Sequence, residues 1–234
     1  MATGAPVVTG HPVPEGPVPR DSAPDDESYR ILRSRIDLSR LPPLSRRVTE
    51  RVIAASADFD YATDLVCDEQ VLADAVAELA AGAAVVADTA MVAAGISPFP
   101  VTCKSEETLT ARLARTAGIS RAAAAVRLAF GQAGPGAIWV VGCESAALDE
   151  IMSRNVQPSL VIGLPVGFAG AAEAKDALRA SGLPALSNVS EKGGAAVAAA
   201  AFCALADAAS AMAGAAGDAD DAAPPRGDGG PGRD

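Results

Sequence analysis

The chain has 234 residues, half of them hydrophobic and only 3% aromatic, which suits one large domain with a core of small aliphatic side chains and excludes a wholly disordered chain. Nineteen Lys and Arg stand against 29 Asp and Glu, a net charge of −10, which argues against nucleic acid as the main partner because phosphate binding needs clustered basic side chains. The four cysteines, Cys67, Cys103, Cys143 and Cys203, lack the short spacing of a zinc ligand set or a redox pair, so free buried thiols in a reducing cytosol are expected.

Residues 1–24 are rich in proline and read as a disordered tail. The single histidine, His11, falls in it and is given no chemical role, and nothing near Met1 reads as a signal peptide. Glu27–Ile36 predicts a helix from the spacing of Ile31, Leu32 and Ile36. Pro42-Pro43 breaks the chain, and Leu44–Ala57 predicts a second helix with Leu44, Val48, Val52 and Ala55 on one face. Asp68–Ala81 predicts a third, with Gly82 where a C-terminal glycine cap belongs. Ala84–Asp88 is a short apolar run ending in an acid, the pattern of a buried parallel strand. Helices follow over Thr89–Ala94, Glu106–Gly118 and Ser120–Gly131. Five apolar residues between glycines make Ala137–Gly142 the strongest strand signal. Ser145–Arg154 is a helix, Ser159–Gly163 a buried strand, Ala171–Ser181 a helix and Leu183–Ser187 a candidate strand. A long helix runs from about Gly193 to Ala213. It comes nearest to a membrane span, but its repeated alanines and Asp207 weigh against that reading. Residues 215–234 read as a second disordered tail.

Strands alternating with helices imply an α/β fold: three layers, a mostly parallel sheet with helices on both faces, in a single domain over residues 25–214. Ligands of such sheets sit outside the carboxyl ends of the strands, which places Asp88, Gly142–Ser145 and Gly163–Phe168 along one rim. Asp88 either caps the helix that follows it or touches a ligand. Gly163-Leu-Pro-Val-Gly-Phe168 has more shaping residues than a plain connection needs, which favours close backbone approach to a ligand. Arg121 at a helix start suits an anion, against the alternative of a solvated surface arginine. Lys175 lies on the helix after the Gly-Pro turn, where a solvated face is the default. No Ser-His-Asp or Cys-His arrangement and no Walker motif is present.

Several segments carry a family resemblance. Val161–Lys175 (VIGLPVGFAGAAEAK) is the longest and most specific, and Tyr29–Leu41, Val86–Ile96, Ser120–Arg121 with the alanines after them, and Lys192-Gly-Gly-Ala-Ala accompany it. Together they resemble the precorrin-8X methylmutases of cobalamin biosynthesis across residues 27–213. The resemblance implies an isomerase that moves a methyl group between adjacent ring carbons of precorrin-8X, or of its cobalt form, to give hydrogenobyrinate or cobyrinate. It implies no cofactor and no metal, a cytoplasmic homodimer, a corrin-type tetrapyrrole as substrate, and neither nucleic acid nor membrane as partner. By position it makes Ser28, Asp88, Met91, Ser97, Arg121, Pro165, Gly167, Phe168 and Lys175 substrate-binding residues.

Three segments depart from the family pattern. Where the family places its proton-donating histidine, Ile53-Ala54-Ala55-Ser56-Ala57-Asp58 carries Ala54, with Ser56 or Tyr61 as weak substitutes. Gly142-Cys-Glu-Ser-Ala-Ala-Leu148 replaces a Gly-Asn-Ala-Pro segment, and Val189-Ser190-Glu191 replaces an Arg-Gly-Arg. The missing histidine gives the second reading, a non-catalytic tetrapyrrole-binding paralogue that carries or sequesters a corrin intermediate.

Overall fold

A computed structural model describes the backbone of residues 26–221 and the side chains of residues 27–214. The predicted tail over 1–24, with His11, lies outside the described residues, as do residues 222–234.

Proline and a distant carboxylate start the helices of the first layer. After α1 (Asp26–Arg35), α2 (Pro43–Ser56) has Pro43 at its first position, where a missing N–H costs nothing. Its next two donors are met by Glu69, which accepts from Leu44 N at 2.7 Å and Ser45 N at 2.9 Å. Glu69 itself opens α4 (Glu69–Ala80), so this cap ties two helices together. Gly82 follows α4 with φ +88, as the glycine-cap expectation requires.

Six strands form one sheet: β1 (Leu65–Cys67), β2 (Val85–Ala87), β3 (Thr102–Cys103), β4 (Ile138–Val141), β5 (Leu160–Gly163) and β6 (Ala185–Asn188). Their order is β1-β6-β5-β4-β2-β3, parallel except for β1, which runs antiparallel to β6. Four predicted strands are present within one or two residues of the expected ends. β1, β3 and the four-residue helix α3 (Tyr61–Asp64) were not expected, because two or three residues carry too little periodicity to read.

Successive strand residues point to opposite faces, so each central strand feeds two cores. Val85, Ala87, Ile138, Val140, Leu160, Ile162 and Leu186 join the larger cluster, under α2, α4, α5 (Ala90–Ile96) and α10 (Ala195–Asp221). Val86, Trp139, Val141 and Val161 join the other, under α7 (Arg121–Ala133), α8 (Ser145–Arg154) and α9 (Ala171–Ala180). Helix α6 (Thr108–Ala117) packs on α7.

Alanine content explains the depth of α10. A Cβ on Gly142 would stand 3.0 Å from Ala195 Cα and 3.0 Å from Ala198 Cβ, so α10 lies directly on the end of β4. Only small side chains allow that approach. The stretch Ala195–Gly214, expected to come nearest to a membrane span, is long and apolar enough to cross one, with mean hydropathy 1.7. In the fold 61% of it is buried, packed on α2, α4 and α5. Alanine is the strongest helix former, and α10 runs on to Asp221 where a tail was expected from residue 215.

Candidate active site at the strand ends

The carboxyl ends of β2, β4, β5 and β6 share one edge of the sheet, since β2–β4, β4–β5 and β5–β6 are parallel neighbours in register. β1 arrives antiparallel, with Leu65 opposite Asn188, so Asp64 joins the same edge. The expected rim of Asp88, Gly142–Ser145 and Gly163–Phe168 is therefore continuous in space.

Asp88 leaves β2 and is buried. Its Oδ2 accepts from the backbone N–H groups of Gly142 (3.2 Å), Cys143 (2.8 Å) and Glu144 (2.9 Å). The cap of α5 is Thr89, whose hydroxyl accepts from Val92 N at 3.4 Å. Asp88 therefore does not cap its own helix, as one reading expected. It ties the β4–α8 connection to the end of β2. Burial pushes its pKa up, opposed by those three N–H groups and the Thr89 hydroxyl.

Gly163–Phe168 pairs with a second loop. Gly194 N donates to the Leu164 carbonyl at 2.8 Å, and Gly167 N donates to the Glu191 carbonyl at 3.0 Å. Gly193 has φ +151, and a Cβ there would overlap the Leu164 carbonyl oxygen. Only glycine permits this stack of two backbones. Pro165 is buried beneath it, Gly167 is half-buried, and Phe168 is 94% exposed at the tip.

Lys175 is fully buried on α9. Its ammonium donates to Asn188 Oδ1 at 2.9 Å, to the Lys192 carbonyl at 2.8 Å and to the Ser190 carbonyl. Three donors meet three acceptors, so Lys175 stands behind the 188–194 loop and not on a solvated helix face. Burial pulls its pKa down to about 8. Asp64 holds the same loop from the other side, accepting from Asn188 Nδ2 (2.8 Å), Ser190 N (2.8 Å) and Ser190 Oγ (2.7 Å). Burial opposes the Asp64 charge, yet these donors keep its carboxyl below the usual range.

Lys192 connects this loop to the end of α2. Its Nζ donates to Asp58 Oδ2 at 2.7 Å and Asp60 Oδ2 at 2.5 Å, which lowers the pKa of Asp58 and raises that of Lys192. Ala54 is exposed one turn before Asp58. Ser56 donates to the Val52 carbonyl at 2.8 Å, so its proton is committed to the helix. Tyr61 is buried, and burial with nearby Asp58 and Asp64 pushes its pKa up to about 12.

The remaining expected residues spread outward. Met91 is 69% exposed at the start of α5, and exposed Ser97 ends that helix. Exposed Arg121 donates from Nε to the Ser105 carbonyl at 2.9 Å, and Ser105 and Ala90 wall the same small cavity. Ser28 is exposed on α1.

Sequence reasoning missed Asp58, Asp60, Asp64, Asn188 and Lys192. The Asp64 contacts span 124–126 residues and leave no local pattern. The glycine pair after Lys192 was the one available signal.

Comparison with known proteins places these features in a family. Residues 25–208 match the model of the Precorrin-8X methylmutase family. The cobalt-precorrin-8 methylmutase of Salmonella typhimurium is 35% identical over 174 residues, which is 71% of this chain and 83% of that protein. The precorrin-8X methylmutase of Pseudomonas aeruginosa is 34% identical over 183 residues, 73% of this chain and 88% of that protein. Among solved structures, the precorrin-8x methyl mutase from Thermus thermophilus superposes with a TM-score of 0.71 at 30% identity, covering 80% of this chain and 97% of its own.

Proposed function

The chain belongs to the precorrin-8X methylmutase family, and from that premise we propose how its rim carries out the family's reaction. It is an isomerase of cobalamin biosynthesis acting on precorrin-8X or cobalt-precorrin-8. A methyl group leaves one ring carbon and bonds to its neighbour, so substrate and product have the same formula and no electrons are exchanged with a cofactor.

The observation that carries the reading is the stacked pair of loops, Gly163–Phe168 on Ser190–Gly194, at the strand ends. Lys175 and Asp64 hold the Ser190–Gly194 loop from behind and Asp88 holds the neighbouring Gly142–Glu144 connection, so the backbone facing the macrocycle is rigid before it binds. Such preorganisation suits an intramolecular shift, whose barrier falls when the migrating group and its target carbon are held in line. Ser28, Met91, Ser97, Arg121, Pro165, Gly167 and Phe168 are assigned to substrate contact, and Asp88 and Lys175 to positioning. With Ala54 in the proton donor's place, orientation is the main source of rate. The carrier-protein reading has no support among the relatives reported above, which are named as mutases.

Val166, Phe168 and Val189 are all more than half exposed on the paired loops, an apolar surface that a second copy covers in a homodimer. We place the protein in the cytoplasm, with no nucleic acid or membrane partner, on its acidic charge and on the burial of α10 within the domain. Titration with hydrogenobyrinate, followed by visible absorption, tests the site. A saturable shift at one equivalent per chain is expected. Absence of any spectral change contradicts the reading.

A further inference from the structure

One groove departs from the acidic character of the chain. A cavity of about 570 Å³ lies between α1, α2 and α10, and Arg33, Arg46, Arg47 and Arg51 all wall it. A second, of about 430 Å³, adjoins it and shares Arg33, Arg46 and Glu50. Four guanidinium groups face two carboxylates, and both carboxylates are answered. Glu50 takes Arg33 through two bonds, at 3.1 and 2.7 Å, and Asp207 takes Arg51 at 2.5 Å. Arg46 and Arg47 enter no ion pair among the described residues, which leaves two uncompensated positive charges in a chain of net charge −10.

The groove leads to the rim. Arg47, Arg51 and Ala54 follow one another at helical spacing along one face of α2, and Asp58, two residues past the end of that helix, is pinned to the rim by Lys192. Seven residues separate position 47 from position 54, roughly 10 Å along the axis. A ring bound over position 54 reaches that far with its peripheral arms.

We propose that this groove docks carboxylate arms of the macrocycle, with Arg46 and Arg47 as their partners. The inference rests on the corrin reading above and adds to it a subsite away from the strand ends. Adjacent helix positions point about 100° apart, so two guanidinium groups there meet two separate carboxylates more readily than one compact phosphate. The Tyr29 ring, Leu44, Ala208 and Ala211 supply apolar wall between the charges.

The test is the double variant Arg46→Gln/Arg47→Gln in the full chain, titrated with hydrogenobyrinate at low and high salt. Both side chains are exposed, so the fold is retained. Kd should rise roughly five- to thirtyfold at low salt, and its salt dependence should fall. Arg112→Gln/Arg115→Gln, an exposed pair on α6 with the same charge change, serves as the control. Equal Kd for wild type and groove variant overturns the proposal, as does an equal loss in the control. If wild type itself shows no response to hydrogenobyrinate, the corrin reading falls and the groove assignment with it. An unaffected groove variant removes the groove alone.

Discussion

Replacing Gly193 by alanine tests the loop stack at its tightest point. The added Cβ overlaps the Leu164 carbonyl oxygen and stands 2.8 Å from that of Pro165, both backbone atoms that cannot swing aside. A φ of +151 costs a residue with a side chain about 1–3 kcal/mol. Pushing the loops apart also loses the Gly194 N to Leu164 O hydrogen bond, 2.8 Å long and worth about 1 kcal/mol. Alanine stiffens the unfolded chain, which returns roughly 0.4–1 kcal/mol. The net loss is about 1–3.5 kcal/mol, or a fall of about 0.5–2 M in the urea midpoint for a slope near 2 kcal/mol/M. Gly182→Ala is the comparison. It has φ +76 but nothing within 4 Å of the new Cβ, so it reports backbone conformation without overlap. Urea unfolding followed by circular dichroism reads both variants. If Gly193→Ala shifts the midpoint no further than Gly182→Ala and binds hydrogenobyrinate as wild type does, the two loops are not stacked as described.

Two further outcomes follow from the groups behind the loops. The folded pKa of Lys175, about 8, lies below its ordinary 10.5, so between those values the unfolded chain holds the extra proton and stability rises with pH. Unfolding free energies at pH 7.5, 9 and 10 should therefore climb more steeply in wild type than in Lys175→Met, and parallel slopes refute the assignment. Asp88→Ala leaves the Gly142, Cys143 and Glu144 N–H groups without their shared acceptor and should cost about 2–4 kcal/mol. Asp88→Asn, which keeps an oxygen, should cost less, and equal losses would mean that the oxygen is not what matters.

Much of this arrangement was legible in the sequence. Val85–Ala87, Ile138–Val141 and Leu160–Gly163 are apolar on both faces, and that continuity announces a strand covered on two sides. The place of Asp88 and of Gly163–Phe168 at the strand ends followed from the alternation of elements. The partners did not follow. Asp88 looked like a cap or a ligand contact because its donors, three backbone N–H groups more than fifty residues away, have no side-chain signature. Lys175 looked solvated because a lysine on a helix usually is. Its burial depends on Asn188 and two carbonyls that only the returning β6–α10 loop brings within reach. Contacts made by backbone across long sequence separations are set by topology, and local periodicity does not encode them.

This chain is expected to move the methyl group although Ala54 stands where the family resemblance puts a proton donor. Precorrin-8X incubated with purified wild-type protein measures that directly, with visible absorption as the readout because product and substrate have equal mass. Conversion to hydrogenobyrinate above the uncatalysed rate is expected, with Ala54→His faster by at most the 10²–10⁴ that a placed general acid supplies. Binding with no conversion by wild type, and conversion only in Ala54→His, would contradict it.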